Sequence, residues 1–263
     1  MLFVSIIHRT FVHHLKSTVM KNEKIFLTTK IYPQSFESSI WDDQKNYSFS
    51  CKFLHNIGGE LLDVDPEVTT LNLYENHLES FDLTLAPTIT RIGLADNNIS
   101  DLRRLDFSNT NVQHLNLSFN NLGGDVDGEM LPKNLVSLNI SGNPKIMSLT
   151  NFDRLVNLKS LSIGDCWGLD GEIKLPPNLE VLKIDQDYFF KMLENGTSPS
   201  TLKTIILTNT QNNKPKDTSK RYKTSLEYIF SVYNEEEFGQ MFPGVIINHK
   251  DAKNICNKYN CFI

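Results

Sequence analysis

The stretch "VQHLNLSFNNL", Val112–Leu122, sets leucines at 115, 117 and 122 around an asparagine at 120. Alternation of this kind makes a short strand: Leu115 and Leu117 point one way, and His114, Asn116 and Ser118 point the other. The same wording recurs along the chain. First apolar members of the pair stand at Leu71, Ile92, Leu115, Leu138, Leu161, Leu182 and Ile205, and second members at Leu73, Leu94, Leu117, Ile140, Ile163, Ile184 and Leu207. The steps are 21, 23, 23, 23, 21 and 23 residues, a regularity that marks a repeat architecture.

Three residues after each second member comes a polar or small one: Asn76, Asn97, Asn120 and Asn143, then Cys166, Asp187 and Thr210. An apolar residue usually follows two places later, as at Leu78, Ile99, Leu122 and Phe189. An asparagine side chain carries two donors and an acceptor, so it can pair backbone groups left over where a strand turns. Asn76, Asn97, Asn120, Asn143 and Cys166 are therefore read as structural corner residues. One such coil cannot cover its own apolar face, whereas stacked coils cover each other. Each leucine buried this way contributes roughly 1.5–3 kcal/mol.

Over residues 68–210 the pattern resembles the leucine-rich repeat, L-x-x-L-x-L-x-x-N-x-L. Membership would imply an α/β repeat solenoid: a curved array with a parallel concave β-sheet, a mostly irregular or 3-10 convex side and a helical C-terminal cap. Two returns, "LGGDVDGEMLPKNL" (122–135) and "LDGEIKLPPNL" (169–179), resemble the L-x-G-x-I-P return of plant-type repeats. Their "LPxNL" ending resembles repeat proteins of budding yeasts and some large DNA viruses. The run "LRRLDFSNTNV" (102–112) is too close to its neighbours to be a coil of its own and is read as a convex return.

Three regions follow. Residues 1–60 are an N-terminal flank, with "CKFLHN" (Cys51, Phe53, Asn56) as a loose capping coil; residues 61–211 hold about seven repeats; residues 212–263 are a basic loop and a helical cap. Leu226, Ile229, Phe230 and Tyr233 fall at helical spacing within 224–242, and Pro243-Gly244 ends that helix. A second short helix is expected near His249.

A formal charge of −5 argues against a general nucleic-acid or anionic-membrane binder. No run reaches the ~18–20 apolar residues of a membrane span. The first residues lack a basic segment ahead of their short apolar run and a small-residue cleavage site, so no secretory signal is read. Four scattered cysteines do not make a disulfide framework. The five N-x-[ST] sequons are about what chance supplies in so Asn-, Ser- and Thr-rich a chain. The expected location is intracellular, cytoplasmic or nuclear.

Residues between the leucines would form columns on the concave face. Tyr74, Arg91, His114, Asn116, Phe119, Asn139, Ser141 and Asp165 are the candidates for a protein-binding surface, with aromatic and Arg side chains as anchors. Ser118 and His114 share a neighbourhood but lack a carboxylate to orient them, the histidines lack metal-ligand spacing, and no phosphate-binding loop is present. The expectation is a non-enzymatic protein-binding module or scaffold without cofactor, metal or catalytic residue. Two alternatives are a ubiquitin-ligase substrate adaptor, for which no F-box is legible in residues 1–60, and a secreted viral or pathogen effector.

Overall fold

The computed structural model describes residues 67–170, 173–196, 200–208, 221–222, 224–230 and 235–247, together with strands Lys24–Leu27, Lys45–Ser48 and Asn56–Leu61. A large parallel sheet with few helices dominates it. Ten strands pair in the order Lys45–Ser48, Val68–Asn72, Arg91–Gly93, His114–Asn116, Ser137–Asn139, Ser160–Ser162, Val181–Asp185, Thr204–Thr208, Tyr228–Phe230 and Ile246–Ile247. Spatial order follows chain order throughout, an arrangement compatible with a solenoid. The register places Leu71 beside Ile92, then Leu115, Leu138, Leu161, Leu182 and Ile205 in turn. Each of these seven is fully buried, as the period-two pattern requires.

The turn after each strand has a common backbone device. Glu75, Asp96, Phe119, Gly142 and Asp165, one residue before each corner, all have positive φ between 54° and 69°. The first four N–H groups still join the ladder, as with Asp96 donating to Ser118 O at 3.0 Å and Phe119 to Ser141 O at 2.9 Å, whereas Asp165 N–H donates to Asp185 Oδ1. The left-handed residue then swings the next side chain inward. That conformation strains a residue bearing a Cβ by roughly 1–3 kcal/mol. Gly142 is also covered: a Cβ there would lie 2.6 Å from the Phe119 ring. Gly142→Ala is thus expected to lower the unfolding free energy by about 1–3 kcal/mol. Asp96→Gly is expected to raise it by up to about 1 kcal/mol. Urea titrations of both variants check the contrast.

The inward residues bind successive coils together. Asn97 Nδ2 donates to Leu73 O at 3.0 Å and Leu94 O at 3.2 Å, while its Oδ1 accepts from Leu78 N–H at 2.8 Å. Asn120 repeats this on Leu94 O, Leu117 O and Ile99 N–H, and Asn143 on Leu117 O, Ile140 O and Leu122 N–H. Asn76 donates to Leu73 O and Tyr74 O within its own coil. At Cys166 the thiol donates to Ile140 O at 3.4 Å. A thiol is a weak acceptor, so Cys166 replaces only part of what an asparagine does at this place.

Several expectations need correction. The side away from the large sheet is more regular than read: Lys24–Leu27, Asn56–Leu61, Ser80–Leu85 and Leu105–Asp106 form a second parallel sheet, and Gly123–Asp127 pairs with Lys145–Thr150. Stacked returns bring their own backbones into register, so extended segments there pair as well. The 3-10 turns are Leu102–Arg104, Gly128–Met130 and Phe152–Arg154. Thus 102–106 does lie on the return. Asp187 is no corner residue. It stands exposed in the first turn of helix α1, Gln186–Asn195, which Gly196 ends at φ 66°.

The sheet continues beyond Thr204–Thr208. Tyr228–Phe230, expected to be helical, is a strand with Ile229 beside Ile205. The unpaired edge of Thr204–Thr208 offers a template to a β-branched and aromatic run, and that pairing overrides helical spacing. A helix does follow, α2, Glu235–Met241, before the turn at Pro243-Gly244 and the last strand. Its Phe238 and Met241, with Phe242, are buried. Upstream, the partner of Val68–Asn72 is Lys45–Ser48 rather than the "CKFLHN" run, and Asn56 begins a strand of the second sheet. Residues 51–55, Trp41, most of the 212–223 loop and the helix expected near His249 lie outside the described residues.

Candidate functional site

Alternation puts Asn72, Gly93, Asn116, Asn139, Ser162 and Lys183 in one column on the face opposite the leucines. Beside it runs a column through Tyr74, Ser118, Ser141 and Asp185. Small side chains dominate both. Tyr74 and Phe119 are the large apolar side chains exposed here, at 37% and 62%. The Phe119 ring lies over Gly142.

The asparagines of this face are partly committed to their own strands. Asn116 Oδ1 accepts from the Ser118 N–H at 3.0 Å and from the Ser118 hydroxyl at 2.8 Å. Asn139 Oδ1 accepts from the Ser141 N–H at 3.0 Å, and Asn72 Oδ1 from the Tyr74 N–H at 3.2 Å. In each case the side chain pairs an amide two residues on, at the strand's end. Further along, Asp185 Oδ1 accepts from the Asp165 N–H and the Thr208 hydroxyl.

Not every candidate is accessible. Asn139 and Ser141 are each only 5% exposed, and His114 is 7% exposed. Arg91, Asn116 and Asp165 are half-buried. In its column His114 stands between half-buried Arg91 and buried Ser137, and Thr70 and Ser160 beyond them are also buried. His114 belongs to this buried flank of the face and not to its accessible part. The Ser118 hydroxyl is engaged by Asn116.

Burial, and then the charge of Arg91, draws the His114 imidazole down to about 4. The unfolded chain takes up a proton near the ordinary 6.5, and the folded one resists until about 4. The resulting stability is present above 6.5 and is lost as pH falls through that window. Urea midpoints measured across it should fall with acidity, and should fall less steeply in His114→Leu. Cys166 is shifted the other way: burial pushes its thiol up to about 12, consistent with a structural rather than nucleophilic side chain.

A second exposed surface escaped the sequence reading. Trp167 is 70% exposed and Met147 62%. Their segments run side by side at the corner edge, where Gly168 N–H donates to Pro144 O at 3.0 Å and Asp170 N–H to Met147 O at 3.3 Å. The available signal was the apolar residue just outside a corner position, where the other coils carry His77, Asn98, Asn121 and Pro144.

Among the described residues, no group of three or more His, Cys, Asp or Glu side chains is placed to hold a metal ion. Nor is any described helix long and apolar enough to cross a membrane. A scan against protein-family models and a search of the curated proteins found no match for this chain.

Proposed function

We propose that this chain is a leucine-rich-repeat solenoid and a non-enzymatic protein-binding module, which engages its partner on the face opposite the leucines. The observation that carries the reading is the composition of that face around Asn116, Ser118, Asn139 and Ser141. Asn116, Ser118 and Asn139, already hydrogen-bonded within their own strands, lose little entropy on binding. Tyr74 and Phe119 stand out from them as exposed aromatic anchors. A rigid sheet carrying a few protruding rings among small polar groups suits a protein surface.

The test is an affinity capture from the protein's own cells, comparing the wild-type chain with Asn116→Arg/Ser141→Arg and identifying bound proteins by mass spectrometry. Partners recovered with the wild type and lost with the variant support the reading. Identical partner sets from two equally folded proteins refute it.

A further inference from the structure

The hydrogen bonds on the open face decide which way its amides point. Because Asn116 Oδ1 and Asn139 Oδ1 accept from strand-end N–H groups, their NH2 groups face away from those amides, Asn116 half-buried and Asn139 on the floor of the face at 5% exposure. Each presents up to two donors and no acceptor. The two residues are cross-strand neighbours, about 4.8 Å apart. Next to Asn139, the Ser141 hydroxyl is buried and pairs with nothing. It lies on the same face, since Ile140 before it points into the core. A buried hydroxyl without a partner is unfavourable, and an acceptor arriving from outside relieves that cost. This patch therefore selects acceptors.

The surrounding charge selects further. Arg91 and Lys183 stand on this face too, but four acids outnumber them: Glu75, Asp96 and Asp165 at left-handed corners, and Asp185 at the end of Val181–Asp185. The chain as a whole carries −5. An anionic ligand would find donors at the centre but repulsion around it. Backbone carbonyls are neutral acceptors and escape that repulsion, while cationic side chains beside them would gain from it.

Resting on the protein-binding reading above, we propose that the Asn116–Asn139–Ser141 patch takes an extended peptide segment bearing basic side chains. Its backbone carbonyls accept from the two asparagine amides and the Ser141 hydroxyl. A neighbouring side chain packs on the exposed Phe119 ring, and Lys or Arg side chains reach toward Asp96 and Asp165.

The test uses the full chain and three labelled peptides in which Lys, Ser or Glu alternates with Ala, read by fluorescence anisotropy. The Lys peptide should bind, the Ser peptide more weakly, and the Glu peptide least. The decisive variant is Asn116→Asp/Asn139→Asp. It keeps an oxygen on each strand-end N–H but replaces both amide donors with acceptors. Its affinity for the Lys peptide should fall at least about tenfold, although its added negative charge would by itself strengthen binding. An unchanged or tighter complex overturns the proposal, as does preference for the Glu peptide. Should that variant unfold, Ser141→Ala serves in its place: weaker Lys-peptide binding by a variant at least as stable as the wild type supports the proposal, and unchanged binding overturns it. If no peptide binds while the Arg double variant still loses its cellular partners, the peptide proposal falls and the protein-binding reading stands.

Discussion

Asn120→Ala is expected to lower the unfolding free energy by about 1–3 kcal/mol, read as a shift of the urea midpoint with unchanged slope. One buried backbone group is orphaned by it: the Ile99 N–H, whose acceptor is Asn120 Oδ1 at 2.9 Å. Each buried group left unpaired costs roughly 1–3 kcal/mol. Leu94 O and Leu117 O are spared, because Asn97 also donates to the first at 3.2 Å and Asn143 to the second at 3.0 Å. Asn120→Asp should be worse. Its carboxylate could still accept from Ile99 but would face Leu94, Leu117 and Ser118 carbonyls with no hydrogen to give. Cys166→Ala, by comparison, gives up one weak thiol bond and should cost clearly less than Asn120→Ala. Equal losses at the two positions would contradict the inter-coil role assigned to the asparagines.

Phe242→Ala is the second large effect, expected at about 3–5 kcal/mol, with a lowered thermal midpoint. Phe242 is fully buried. Its ring stacks on Tyr222 at 5.3 Å, Phe189 at 5.9 Å and Phe238 at 6.0 Å between centroids. It thereby ties α2 to α1 and covers the last coils of the large sheet. A stack of coils exposes core at its end unless something closes it, so the loss should reach beyond one side chain. Hydrogen exchange should accelerate at Ile205 and Leu207 as well as near Phe242. Acceleration confined to 238–247 would mean that the cluster does not close the stack.

Much of this arrangement was legible in particular residues. Leu71, Ile92 and their successors could be placed because a buried strand face repeats every second residue and a coil every 21–23. The asparagines were legible because few side chains can pair a donor and acceptors together. Tyr228–Phe230 was not, since "LEYIF" fits a helix face and a strand equally. What decides it is the open edge of Thr204–Thr208, a feature of the assembled sheet. Helix α1 had a readable signature in Phe189, Met192 and the Gly196 stop, but counting Asp187 as a corner concealed it.

At the site, alternation placed Asn116, Asn139 and Ser141 on the open face. It did not reveal that the asparagine oxygens serve strand ends, because a repeat period carries no information on amide orientation. The depth of His114 was hidden for a related reason. Its register neighbours are Arg91 and Ser137, and the pattern says where a column runs but not how closely it is walled.

The most direct test of the central claim is site-specific photo-crosslinking in the protein's own cells. A photoreactive phenylalanine analogue would replace Phe119 on the open face in one sample and Trp167 at the corner edge in another. The account predicts a discrete protein adduct from position 119, lost when Asn116→Arg/Ser141→Arg is added, and none from position 167. Adducts from position 167 alone would contradict it, moving the partner to the edge formed by Trp167 and Met147.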